Sequence, residues 1–219
     1  MSFKFIIPAR RNSKGLPFKN RKLFDIFLDK TPENLLTGLI HSHSLIVSTD
    51  DESIIEKCVS KSINYLNRDS NLALDTTSTK EVMIDLYNKN YIFNDDIVVM
   101  LYLTYPERNW DDIGNAIDTF VKNGSRSLLC KKEITSTHPY LYMLEIDKNK
   151  GKQLVAHDLY RRQDYPKVFE ISHYICIFKG GELKNLNNNL YNEDTFFLPI
   201  NSVIDVDTEN DLLKYNGNL

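Results

Sequence analysis

The chain has 219 residues, 42% of them hydrophobic and 26% charged, with a net charge of −3. That suits one well-buried domain with a small appendage and excludes a broad basic face for nucleic acid. No apolar run approaches the roughly 18 residues needed to cross a bilayer, and Pro8 and Arg10 break the first apolar segment too early for a signal peptide. The expectation is a cytoplasmic protein with no nucleic-acid or membrane partner.

Phe3 to Ile7 has the pattern of a buried strand. The loop after it, Pro8-Ala9-Arg10-Arg11-Asn12-Ser13-Lys14-Gly15-Leu16-Pro17-Phe18-Lys19-Asn20, is strongly basic. Seven Lys or Arg and no acid fall in the first 22 residues, leaving 20 basic against 30 acidic residues elsewhere. A focused positive field on a Gly-containing loop after a strand suits a polyanion such as a nucleoside triphosphate; a solvated basic segment is the alternative. Gly15 allows a close backbone approach, and Pro17 stiffens the turn.

Residues 23–28 are ambiguous between helix and strand. Thr31 and Pro32 predict a helix start, with Leu35, Leu36, Leu39 and Ile40 as its apolar stripe. A second strand, Leu45 to Thr49, ends at Asp50-Asp51, which open a helix carrying Ile54 and Cys58 inward. A short third strand at 63–66 leads through Leu74-Asp75-Thr76-Thr77-Ser78-Thr79 into a helix with Val82, Met83 and Leu86. Ile97 to Leu103 predicts a central strand, Asn109 caps a helix ending at Asn123-Gly124, and 127–130 is the next strand. This alternation implies βαβ units in a mostly parallel, doubly wound sheet.

Residues 131–170 break the pattern and are expected to form a protruding hairpin or arm on a single domain spanning 1–219. The sheet resumes at Tyr174 to Phe178 and is expected to close with a strand at Ser202 to Asp207. Asp205 and Asp207 would then share one face of it, an arrangement suited to a hard divalent ion; a helix cap is the alternative use of Asp207. Thr208 with Asp211 makes a capping box for a last helix. The Asn-rich stretch 185–192 is expected to be a surface loop. Cys58, Cys130 and Cys176 are odd in number and widely spaced, so buried free thiols are expected.

Three segments in this order, the Pro8–Asn20 loop, Ser48-Thr49-Asp50-Asp51 and Ile204-Asp205-Val206-Asp207-Thr208, resemble the cytidylyltransferases that make CMP-activated acid sugars. The likeness is nearer to the CMP-N-acetylneuraminate synthetase type than to the CMP-3-deoxy-manno-octulosonate type. Leu74-Asp75-Thr76, Pro106, Arg108, His138-Pro139, Arg162-Gln163, Pro166 and Phe169 extend it over nearly the full length. The resemblance implies a three-layer α/β/α sandwich of the nucleotide-diphospho-sugar transferase type, with an arm that contributes to a homodimer.

It also implies attack of a sugar's anomeric hydroxyl on the α-phosphate of CTP with loss of pyrophosphate, assisted by Mg2+ on Asp205 and Asp207. Arg10, Lys14, Lys19 and Asp207 would act in catalysis. Ala9, Arg10, Ser13, Gly15, Lys19, Asn20, Arg68, Thr77 and Thr79 would bind the nucleotide. Tyr102, Arg108, Arg162, Gln163 and His173 would face the sugar. Tyr102 stands where the family has Gln, Glu170 where it often has Arg, Leu141 where it has Lys, and Ser172-His173-Tyr174 where it has Asn-Gly-Ala. Those exchanges point to an acceptor other than N-acetylneuraminate. They also leave open a catalytically idle nucleotide- or sugar-binding homologue, and a different base in place of cytosine.

Overall fold

The computed structural model describes residues 2–134 and 137–216; Thr135 and Ser136, inside the expected arm, lie outside the described residues, as do Met1 and 217–219. Among the described residues nine strands form: β1 (Ser2–Pro8), β2 (Leu45–Thr49), β3 (Asn64–Asn67), β4 (Asp96–Met100), β5 (Ser127–Glu133), β6 (Met143–Asp147), β7 (Lys150–Gln153), β8 (Phe169–Lys179) and β9 (Phe196–Pro199). The α-helices among the described residues are α1 (Lys19–Lys30), α2 (Glu33–His41), α3 (Glu52–Ser60), α4 (Thr79–Asn88), α5 (Trp110–Lys122) and α6 (Glu209–Tyr215).

Seven strands make one sheet in the order β3-β2-β1-β4-β8-β5-β9. The β1–β2, β1–β4, β2–β3 and β5–β9 pairs are parallel, whereas β8 runs antiparallel to both neighbours. Alternate residues of each strand enter opposite cores, as the strand period requires. Phe5, Ile7, Val47, Val99 and Ile177 face α1, α2, α3 and α5, packing against Phe24, Leu39, Ile54 and Phe120. Ile6, Ile46, Val98, Met100 and Phe178 face the other way, against Val82, Met83 and Leu86 of α4 and Leu183, Leu186 and Leu190. The expected three-layer sandwich is therefore present. The Asn-rich stretch is not only surface, since Leu186 and Leu190 are buried.

Local chemistry sets the helix starts. Asp51 caps α3 by accepting from the Ser53 amide, Ser78 and Glu81 form a capping box on α4, Asn109 caps α5, and Thr208 with Asp211 caps α6. Thr31 is different from expectation. It ends α1 rather than starting α2, donating its hydroxyl to the Phe27 carbonyl at 2.7 Å and accepting from the Trp110 indole at 3.2 Å. Residues 23–28 belong to α1, whose Leu23, Phe24 and Leu28 are buried.

The expected last strand at 202–207 does not form; β9 lies earlier, at Phe196–Pro199. The segment runs past the sheet, with Val206 buried and its amide donating to the Thr104 carbonyl at 2.7 Å, while Asp205 and Asp207 stay exposed. Alternation survives there without a ladder. Between β5 and β8 the chain makes an excursion that leaves and re-enters the sheet opposite itself, since Glu133 pairs with Phe169. It carries the separate β6–β7 hairpin, whose residues are exposed throughout.

Candidate active site

The cleft lies at the C-terminal ends of β1, β2, β3 and β4, where ligands bind in open parallel sheets. Its volume is about 250 Å3. The basic loop is fixed over the sheet by its own backbone. The Ala9 amide donates to the Ser48 carbonyl at 2.9 Å, the Thr49 hydroxyl donates to the Ala9 carbonyl, and the Arg11 amide donates to Asp50 Oδ1 at 2.7 Å. Asn20 donates its side-chain amide to the Arg10 carbonyl at 2.8 Å, so it braces the loop from the first turn of α1. Ala9 is fully buried beneath.

Gly15 has a specific reason to lack a side chain. A Cβ there would come 2.3 Å from the Asp207 carbonyl oxygen, inside any tolerable contact. The loop thus lies directly on the 205–207 segment, and Lys19 joins the two. Its Nζ donates to Asp207 Oδ1 at 2.7 Å and to the Val206 carbonyl at 3.2 Å. The Lys19 side chain is 10% exposed and that of Asp207 is 70% exposed. Lys19 is therefore an oriented charge in a weakly screening place, at the positive end of a helix dipole.

Arg68 is buried and reaches back to β2, donating from Nε to Ser48 Oγ at 3.1 Å and from Nη2 to the Ser48 carbonyl at 2.7 Å. Desolvation pushes its guanidinium down to about 10, which leaves it charged at neutral pH. Arg10 and Lys14 both close on Asp75, Arg10 Nη1 at 2.7 Å from Oδ1 and Lys14 Nζ at 2.8 Å from Oδ2. In the sequence Asp75 stands out only within the Leu74-Asp75-Thr76 tripeptide. No spacing links it to a loop some 60 residues earlier, and only the topology brings them together.

Of the residues expected to bind nucleotide, Arg10, Ser13, Lys19, Asn20, Arg68, Thr77 and Thr79 line this cleft, and so does Tyr102 from the sugar group. Burial raises the Tyr102 hydroxyl well above its ordinary value. His173 meets the Tyr102 ring edge-on at 5.4 Å between centroids and donates from Nε2 to the Asn189 carbonyl at 3.1 Å.

Arg108 is not in the cleft. It is buried, donates from Nη1 to the Tyr174 carbonyl at 3.0 Å, and lines a small separate hollow with Phe27 and Trp110. Arg162 and Gln163 lie on the excursion between β5 and β8, where Arg162 borders a hollow with His138 and Tyr165. Glu170 is paired with Lys132 at 3.0 Å.

Asp205 and Asp207 are hard oxygen donors on exposed backbone. Among the described residues no group of three or more His, Cys, Asp or Glu gathers to hold a metal. A pair of carboxylates fits Mg2+, which keeps waters and takes much of its shell from substrate phosphates. No helix among the described residues is long and apolar enough to cross a membrane.

A cytidylyltransferase family model matches residues 4–195. N-acylneuraminate cytidylyltransferase of Streptococcus agalactiae serotype III (strain NEM316) is 28% identical over 231 residues, covering 98% of this chain and 52% of that protein. The chain thus spans about half the length of that relative. Pseudaminic acid cytidylyltransferase of Campylobacter jejuni subsp. jejuni serotype O:2 is 31% identical over 223 residues, covering 94% of this chain and 91% of its own. Among solved structures, CMP:2-keto-3-deoxy-manno-octonic acid synthetase complexed with CTP superposes with a TM-score of 0.63 over 99% of this chain and 98% of that one, at 14% identity, a likeness of fold alone. By the extent of the family match, which takes in the basic loop, most of the sheet and the cleft at its edge, the chain belongs to the cytidylyltransferase family.

Proposed function

We propose that the protein transfers CMP from CTP to the anomeric hydroxyl of an acid sugar of the nonulosonic type and releases pyrophosphate. The observation that carries this reading is the convergence of Arg10, Lys19 and Arg68 on one cleft, with Lys14 paired to Asp75 of its lining and Asp207 paired to Lys19. Its support from relatives is that proteins named for N-acylneuraminate and for pseudaminic acid align along nearly the whole chain.

Displacement at the α-phosphate spreads negative charge over phosphoryl oxygens and the departing pyrophosphate, so fixed cations are the main means of acceleration. In this reading Lys19, rigid and nearly dry, faces the developing charge, while Arg10 and the more exposed Lys14 take the β- and γ-phosphates. Arg68, Thr77 and Thr79 border the space for ribose and base. Asn20 and Gly15 keep the loop at its working height above the sheet. Asp205 and Asp207 would hold Mg2+, which when bound supplies charge neutralisation on the phosphates.

The sugar would lie beside Tyr102 and His173. Arg162 and Gln163 reach a sugar only if a second copy brings its excursion across, so the reading includes a homodimer. Exposed apolar side chains on that excursion, among them Met143, Leu144 and Ile146, suit an interface. Cytoplasmic localisation follows from the use of CTP.

The test is pyrophosphate release from CTP and Mg2+ with a panel of acid sugars, with UTP and GTP in parallel and Lys19→Ala as control. Turnover with one or more acid sugars and CTP is expected. Nucleotide binding without release across the panel would favour an idle homologue, and faster release from UTP or GTP would overturn the cytidine assignment.

A further inference from the structure

Asp75 has no part in the reaction outlined above, yet it holds two of its cations. Each carboxylate oxygen takes a different partner, Oδ1 on Arg10 Nη1 at 2.7 Å and Oδ2 on Lys14 Nζ at 2.8 Å. Arg10 and Lys14 belong to the loop after β1, and Asp75 to the segment between β3 and α4, so the contact ties two separate walls of the cleft mouth. A Lys14 side chain 83% exposed has little packing to orient it, so charge alone draws it in.

We propose that Asp75 is a counter-ion latch, standing in for a phosphate between Arg10 and Lys14 before nucleotide binds and hastening the departure of pyrophosphate afterwards. The proposal rests on the nucleotide reading of this cleft. Two oxygens of one carboxylate match the spacing of two cations as two oxygens of a phosphate would. A triphosphate must therefore displace Asp75 to gain Arg10 and Lys14. The displaced carboxylate remains beside the bound polyanion, where like charge repels it, and recaptures its partners as pyrophosphate leaves. The Lys14 and Arg10 contacts also hold the Asp75 carboxyl below its ordinary value, so it is ionised at neutral pH.

The experiment compares wild-type protein with Asp75→Asn and Asp75→Glu. Calorimetric titration with inorganic pyrophosphate in Mg2+ is followed by steady-state kinetics with CTP. Asp75→Asn should bind pyrophosphate about three- to tenfold tighter, the range two exposed ion pairs allow. It should also lower KM for CTP and lower kcat through slow release, while Asp75→Glu returns toward wild type. Loss of a merely structural contact would raise KM instead. Asp75→Ser repeats the measurement if the amide disturbs the loop. Equal or weaker pyrophosphate binding by both neutral variants overturns the latch alone. Wild-type protein that binds neither pyrophosphate nor CTP overturns the nucleotide reading, and the latch with it.

Discussion

Lys19 and Asp207, 188 positions apart, meet at 2.7 Å, and that contact joins the basic loop to the acidic segment. Its two members differ in surroundings, since the ammonium is nearly buried and the carboxylate largely open to water. The difference separates what each contributes to activity from what it contributes to stability.

Replacing Asp207 by Asn removes charge from an exposed group, and Lys19 keeps the Val206 carbonyl as acceptor. The stability cost should stay under about 1 kcal/mol. Pyrophosphate release should fall by about 100-fold, as for other losses of oriented electrostatic groups, and more Mg2+ should be needed for half-maximal rate. Urea denaturation and a Mg2+ titration of the rate check both halves. Full turnover in Asp207→Asn would overturn the proposal that this residue holds Mg2+.

Gly15→Ala tests the close approach. The added methyl meets the Asp207 carbonyl oxygen and must push the loop off the 205–207 segment. Because displacement of catalytic groups by about 1 Å can cost about 100-fold, kcat/KM should drop by that order while the cooperative unfolding midpoint moves little. An unchanged kcat/KM would show that the loop works at a different height.

Arg108→Ala should behave in the opposite way. It leaves the Tyr174 carbonyl without its donor in a buried place, a loss of about 2 kcal/mol. Sugar KM, measured well below the melting temperature, should be unchanged. A rise in sugar KM of more than about fivefold at unchanged stability would restore Arg108 to the acceptor site.

Alkaline pH offers a test of the core. All three cysteines are free and buried, and desolvation raises Cys58 to about 12 and Cys130 to about 11 from an ordinary 9.0. Burial likewise raises Tyr102, Tyr105 and Tyr174. The folded chain thus keeps protons that the unfolded chain gives up. From these groups stability should be level between pH 7 and about 8 and decline as pH rises through 9 and above, as the unfolded thiols and then the phenols ionise. Urea midpoints at pH 8, 9.5 and 10.5 check the decline. At pH 8, thiol reagents should label the native protein far more slowly than the denatured one.

The sheet strands up to β5 and most helix starts were legible because alternation and capping residues are local signals. The Pro8–Asn20 loop was legible for the same reason, since its charges are contiguous. What failed were features decided across the chain. Ile204 and Val206 alternate with Asp205 and Asp207 as a strand would, but among the described residues the segment's backbone–backbone bond to the sheet side is the single one to Thr104. Thr31 carries the chemistry of an N-cap and Pro32 that of a first helical residue, yet α1 runs right up to them and claims Thr31 as its end. The antiparallel direction of β8 leaves no mark in its composition. The contact of Arg108, in the loop before α5, with the Tyr174 carbonyl of β8 likewise has no local mark in the sequence.

The basic loop rests on a segment nearly 190 residues later in the chain, and this has a consequence for biosynthesis. A nascent chain emerging in order would carry all seven strands of the main sheet by Pro199, before Val206 and Asp207 follow. Until then Lys19 has no acceptor and the loop has nothing to rest on at Gly15. The core can therefore condense before the 205–207 segment arrives to support the basic loop.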